Sequence, residues 1–186
     1  MRAERVAAVV DATHPFAANI TGSALSACDR TGVPVLVLRR PGWQPGPGDD
    51  WHPVPTLAAA AEALEGRGER VFLTTGRGGL AAFAALDRHW FLIRTVDPPE
   101  PPLPARAEVL LDRGPFTVEG EREVFRAHRI QVLVTKDSGG PMTAAKLVVA
   151  RELGLPVVIQ ARPPAPDVET VATVTEAVGW LLAIAG

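Results

Sequence analysis

The chain is short of cysteine and of net charge, and each shortage removes a class of function. A single cysteine, Cys28, in 186 residues excludes an internal disulfide and supplies too few thiols for a zinc or iron–sulfur centre. Its place in a helical pattern marks it as a small buried hydrophobe. The four histidines, His14, His52, His89 and His128, show no ligand spacing such as His-x-x-x-His, so no metal is expected. Nineteen basic residues against 21 acidic ones leave a formal charge of -2, which draws the surface as a whole towards neither nucleic acid nor anionic lipid. Any anion must then be held by a local patch. No apolar run approaches the roughly 20 residues that cross a bilayer, and Met1–Glu4 leads into a short strand pattern rather than a signal peptide. The expectation is a cytoplasmic protein with no membrane and no nucleic-acid partner.

What remains is a chain with 47% hydrophobic and 22% charged residues, long enough to bury a core as one domain or two small lobes. Short β-rich runs alternate with helical patterns, which predicts an α/β fold of parallel sheets covered by helices. Strands are expected near Val6–Val10, Val35–Arg39, Val71–Leu73, Phe91–Val96, Val109–Leu111, Val132–Thr135 and Val157–Ile159. Most are continuously apolar, as strands buried on both faces are. Helices are expected near Ala17–Thr31, Leu57–Leu64, Gly79–Leu86, Val118–His128, Thr143–Leu153 and Glu176–Ala185, the last opened by a capping box of Thr173 and Glu176. Proline-rich stretches at Pro41–Asp50, Asp97–Pro104 and Arg162–Asp167 read as loops, because proline fixes φ and removes a donor. The polar segment Glu65–Arg70 suggests a boundary that divides the chain into residues 1–66 and 67–186. The apolar strand at Ala7–Val10 would be left with an uncovered edge at the start of the chain, an edge that could recruit a second copy.

Three strand-to-helix junctions have the composition of ligand-binding loops: Asp11–Ala18 (DATHPFAA), Thr74–Gly79 (TTGRGG) and Thr135–Lys146 (TKDSGGPMTAAK). In open α/β sheets ligands sit outside the carboxyl ends of the strands, and helix amides there favour anions. In the first, Asp11 ends the strand, Thr13 and His14 occupy the turn, and Pro15 keeps His14 extended while suiting the first helical position. Asp11 and Thr13 either contact a ligand or cap the helix. An unperturbed imidazole titrates near neutrality, which makes His14 the candidate proton donor, although ligand contact is the simpler role. In the second, Thr74, Thr75, Gly76 and the fork of Arg77 either surround an anion or form a plain turn. In the third, Lys136, Ser138, Gly139, Gly140 and Thr143 pack donors and adjacent glycines into one turn, where the backbone can approach a ligand closely. Lys146, the second of the two lysines, either faces the same place or is solvated. No nucleophile elbow, Ser-His-Asp order or catalytic carboxylate pair is present, so a cofactor is expected to carry the reaction.

The phrases DATHPFAANI, LTTGRGGL, RTVDPPEPPLP, LLDRGPF and LVTKDSGGPMTAAKLVVARELGLPVVI, in this order and spacing from Val6 to the final helix, resemble the precorrin-6A reductase family. That resemblance implies two Rossmann-like lobes and an NADPH-dependent reduction of one ring double bond of a tetrapyrrole, precorrin-6A, in cobalamin biosynthesis. Family members begin with a strand and a Gly-rich turn ahead of the Asp-Ala-Thr-His-Pro segment, so the resemblance also implies a truncated first lobe. Arg77, Lys136 and helix amides would then meet the substrate carboxylates or the cofactor phosphates. Two rival readings stand beside it: a non-catalytic binder of tetrapyrrole or dinucleotide, and another NAD(P)-dependent α/β oxidoreductase.

Overall fold

The computed structural model describes residues 6–185, so the Met1–Glu4 lead-in lies outside the described residues. The chain divides into two compact units, one built from residues 1–42 and 162–186 and the other from Trp43–Ala161. The first carries strands β1 (Val9–Asp11), β2 (Val35–Leu38) and β9 (Thr170–Val171), with helices α1 (Ala18–Thr31) and α5 (Val174–Ala185). Its sheet is parallel in the order β1-β2-β9, with Val9 opposite Val35 and Val37 opposite Thr170. Helix α1 stops where Gly32 turns left-handed at φ 68° and returns its N–H to the Cys28 and Asp29 carbonyls, a geometry glycine adopts without steric cost. Cys28 is buried, as its pattern predicts. The capping box of α5 is present: the Glu176 amide donates to Thr173 Oγ1 at 3.2 Å, and Glu176 Oε2 accepts from the Thr173 amide at 2.8 Å.

The second unit holds a six-stranded parallel sheet in the order β3-β8-β7-β4-β5-β6. These strands are β3 (Trp51–Val54), β4 (Arg70–Thr74), β5 (Trp90–Thr95), β6 (Ala107–Leu111), β7 (Val132–Lys136) and β8 (Val157–Gln160), and the helices are α2 (Leu57–Glu62), α3 (Val118–Ala127) and α4 (Ala145–Glu152). Alternate residues of the central strands feed two cores. Val71, Leu73, Phe91, Ile93, Val132, Val134 and Val158 pack with α2 and Phe83 on one face. Phe72, Leu92, Leu133, Val157 and Ile159 pack with Phe125 of α3 and Leu147, Val149 and Ala150 of α4 on the other. Burial on both faces is why these strands read as continuous apolar runs. Among the described residues no helix is long and apolar enough to cross a membrane.

The structure departs from the sequence expectations at several points. The segment Glu65–Arg70 is no boundary: it joins α2 to β4 inside the second unit, and the first unit is closed by the C-terminal β9 and α5. Strand β3 was hidden by Pro53, which an edge strand tolerates because one side of it has no ladder partner to donate to. The helix expected at Gly79–Leu86 is a single 3-10 turn over Leu80–Phe83, and the one expected at Thr143–Leu153 is a 3-10 turn over Pro141–Thr143 followed by α4. Strand β1 begins at Val9 rather than Val6.

Candidate functional site

Each unit places candidate loops at the carboxyl end of its own sheet. In the first unit Asp11 is the last residue of β1 and is 5% exposed. Its Oδ1 accepts the Thr13 amide at 2.9 Å, an Asx turn that folds the chain back as it leaves the strand. The Ala17 amide donates to the His14 carbonyl at 2.7 Å, and the Phe16 amide donates to His14 Nδ1 at 3.3 Å. Nδ1 is thereby an acceptor, so the ring of His14 carries its proton on Nε2. Ala17 is the N-cap of α1, with no side-chain cap bond; neither Asp11 nor Thr13 caps the helix. Pro15 sits in the turn ahead of that cap and not at the first helical position. Asp11, Thr13, His14 and Pro15 line one cavity of about 170 Å³ together with Thr21 and Arg39. Burial pushes the Asp11 carboxyl up, but hydrogen bonding from the Thr21 side chain and from the backbone and side chain of Thr13 outweighs it, and the net pKa is lowered.

In the second unit the chain runs outward through β4, β5 and β6, then returns to the other side of β4 as β7 and continues to β8. The reversal falls between β4 and β7, whose ends are in register with Thr74 opposite Thr135. Crevices at such reversals are where open parallel sheets bind ligands, and both remaining candidate loops leave from these two strands. The topology therefore brings Thr74–Gly79 and Lys136–Gly140 together, although they are some sixty residues apart in sequence. Thr74 spends its hydroxyl on the Val134 carbonyl at 3.2 Å, pinning β4 to β7. The Thr75 hydroxyl is buried and has no hydrogen-bond partner. Gly76 adopts φ 75°, and Arg77 is exposed. At Gly79 the backbone is left-handed, φ 85°, which favours glycine, and a Cβ there would lie 2.3 Å from Leu57 Cδ1 and displace that side chain.

The loop after β7 turns sharply, its Ser138 amide donating back to the Lys136 carbonyl at 2.7 Å. Gly139 and Gly140 follow at φ 63° and 77°, conformations that side chains resist. Lys136 is half-buried, and desolvation lowers its pKa. The solvated reading of Lys146 is wrong: the side chain is 3% exposed, its Nζ donates to the Thr143 carbonyl at 2.9 Å, and it lies 5.1 Å from the centre of the Trp43 ring. Burial, with the charge of Arg94 adding to it and that of Glu121 opposing it, brings Lys146 down to about 7. Thr143 thus holds Lys146 through its carbonyl.

Sequence reasoning missed the residues that brace this loop. Trp43 donates its amide to Asp137 Oδ1 and its indole N–H to the Gly140 carbonyl, both at 2.9 Å. Behind it Arg94 Nη2 lies 2.7 Å from Glu121 Oε1 with both side chains buried, and the guanidinium stacks 3.7 Å from the centre of the Phe116 ring. A signal for Arg94 existed: it is the one charge inside the apolar run Phe91–Thr95, and a buried charge needs a partner. Trp43 had none, sitting in a stretch that reads as loop.

A family model described as precorrin-6x reductase CbiJ/CobK matches residues 1–182. The chain is 54% identical over 182 residues to the precorrin-6A reductase of Rhodococcus erythropolis, covering 97% of this chain and 73% of that protein. It is 46% identical to the precorrin-6A reductase of Rhodobacter capsulatus, covering 96% of this chain and 71% of that one. A solved structure of CobK precorrin-6A reductase superposes with a TM-score of 0.92 at 44% identity, over 98% of this chain and 73% of that one.

Proposed function

The chain belongs to the precorrin-6x reductase CbiJ/CobK family, and from that membership we propose that it reduces one ring double bond of precorrin-6A with NADPH as the hydride source. The observation that carries the assignment to a site is the departure of two glycine-rich loops from β4 and β7, the strands that flank the reversal, with Lys136 at the end of β7. The residues fit a dinucleotide with anionic groups. Gly139 and Gly140 allow close approach of backbone, Lys136 supplies a cation, and the buried Thr75 hydroxyl is an unmet donor and acceptor.

NADPH, when bound, supplies a hydride. The chain's own residues then have the work of holding and orienting, because hydride transfer needs the two carbons near contact more than it needs acid–base chemistry. Lys136 and Arg77 would take phosphate or carboxylate oxygens, with Arg77 the more adaptable since it is exposed. Ser138 and the Gly139–Gly140 backbone would add neutral contacts. His14 offers an Nε2 proton in a neutral ring, which suits it to donate a hydrogen bond. The proton that accompanies the hydride would come from solvent or through His14.

The test is direct. The purified chain mixed with NADPH and precorrin-6A is expected to consume the cofactor absorbance in step with a change in the tetrapyrrole spectrum. Loss of neither signal, with both ligands shown to bind, would reduce the proposal to a binding protein.

A further inference from the structure

The loop after β1 resembles the two loops of the second unit in its strand–turn–helix plan, yet its charge runs the other way. Asp11 is more than nine-tenths buried and lines the cavity at the end of β1. Its Oδ1 is occupied by the Thr13 amide, whereas Oδ2 is buried with no hydrogen-bond partner. The Thr21 hydroxyl is close enough to help hold the carboxylate ionised, but its geometry is not that of a hydrogen bond to Oδ2. A buried carboxylate oxygen left in this state is costly and asks for a donor.

The rest of the lining does not invite an anion. Arg39 is the one lysine or arginine among the lining residues, and its guanidinium is committed to carbonyls, Nη1 to Pro164 at 3.0 Å and Nη2 to Pro163. The start of α1 would ordinarily attract negative charge. Here the Asp11 carboxylate already places a negative charge in the lining. A phosphate or carboxylate entering the cavity would meet a like charge with no free cation in the lining to offset it.

We propose that the cavity at the carboxyl end of β1 receives an uncharged, hydrogen-donating edge of a bound ligand, an N–H or O–H group accepted by Asp11, and excludes phosphate and carboxylate. The proposal rests on the reductase reading for the presence of a ligand and deepens it. It gives the first unit's cavity a neutral contact, while the loops around Lys136 in the second unit are suited to anionic groups. His14 Nε2–H, at the rim of the same cavity, supplies the complementary donor.

Fragments test this without the full reaction, so its failure is separable from failure of the NADPH assay. Amide NMR spectra of the full chain would be followed while adding nicotinamide, which carries an uncharged carboxamide N–H, then ribose, which carries hydroxyls, then inorganic phosphate. Saturable shifts of the Thr13 and Thr21 amides with nicotinamide or ribose, and none with phosphate, are expected. Asp11→Asn, which keeps the Oδ1 bond to Thr13, should abolish the saturable fragment shifts. The proposal is overturned by saturable phosphate shifts at Thr13 and Thr21, by silence from both uncharged fragments, or by fragment binding that survives Asp11→Asn. Should that variant not fold, the selectivity of the unaltered chain among the three fragments decides alone.

Discussion

The two units solve the same local problem with opposite charge. At the end of β1 the chain buries an anion, Asp11, and diverts its neighbouring cation, Arg39, to backbone carbonyls. At the ends of β4 and β7 it presents Lys136 and Arg77 beside glycines, and buries Arg94, Glu121 and Lys146. The units differ in bulk as well. Of the buried apolar side chains among the described residues only Cys28, Leu36, Val37 and Ala177 belong to the first unit, and the rest belong to the second. A strand–turn–helix plan therefore does not decide which ligand a loop takes. The charge that the surrounding core can afford to bury does.

The sharpest way to break this comparison is to remove the anion from the brace. Glu121→Ala would leave Arg94 buried without a partner. Such a variant is expected to lose about 3–5 kcal/mol of stability. The loss should appear in denaturant unfolding as a lower midpoint, with hydrogen exchange quickening in β4, β5 and β7 before β1 and β2. A loss below about 1 kcal/mol would mean that the pair is not a structural brace.

Lys136→Ala is the next largest effect. Loss of a charge-assisted contact should weaken NADPH binding by about 1.5–3 kcal/mol, and Arg77→Ala should act in the same direction but less, because that side chain is exposed. Calorimetric dissociation constants unchanged in both variants would remove the second unit's loops from the anion site. The comparison between the units would go with them.

Lys146 gives a pH signature to the second unit. Its folded value of about 7 lies well below the ordinary 10.5. Below about pH 7 the folded chain holds a buried cation at full cost. Between that pH and the ordinary lysine value the folded state binds fewer protons than the unfolded one, so stability rises with pH by up to about 1.4 kcal/mol per unit. Lys146→Met should flatten that rise when denaturant midpoints are compared at about pH 7.5 and about pH 9.5. An equal rise in both proteins would place the titration elsewhere.

How much of this was visible beforehand follows from what kind of signal each feature leaves. The central strands were legible because burial on both faces writes itself as apolar runs, and the α5 capping box because its two residues are three apart. The same logic hid β3, whose Pro53 is acceptable only at an edge, and β9, two residues long. The unit boundary was misread because it depends on a pairing between Val37 and Thr170 that no local pattern announces. Candidate loops were found by composition, yet their roles within the loop were not. Thr74 and Thr75 read alike, but one bonds Val134 and the other bonds nothing. The 97-residue separation of Trp43 from Gly140 put the brace beyond sequence reasoning altogether.

The smallest effect separates contact from catalysis at His14. Nδ1 accepts the Phe16 amide, which orients the ring in the turn after β1. Glutamine places an amide N–H where Nε2–H lies. His14→Gln is accordingly expected to change ligand affinity by no more than about 1 kcal/mol and to leave single-turnover reduction within about tenfold of the unaltered chain. A slowing of about a hundredfold or more with affinity unchanged, in the range that general acid–base groups contribute, would make His14 the proton donor. The first unit would then supply chemistry as well as a neutral contact, and the contrast drawn between the two loops would have to be one of function and not of charge alone.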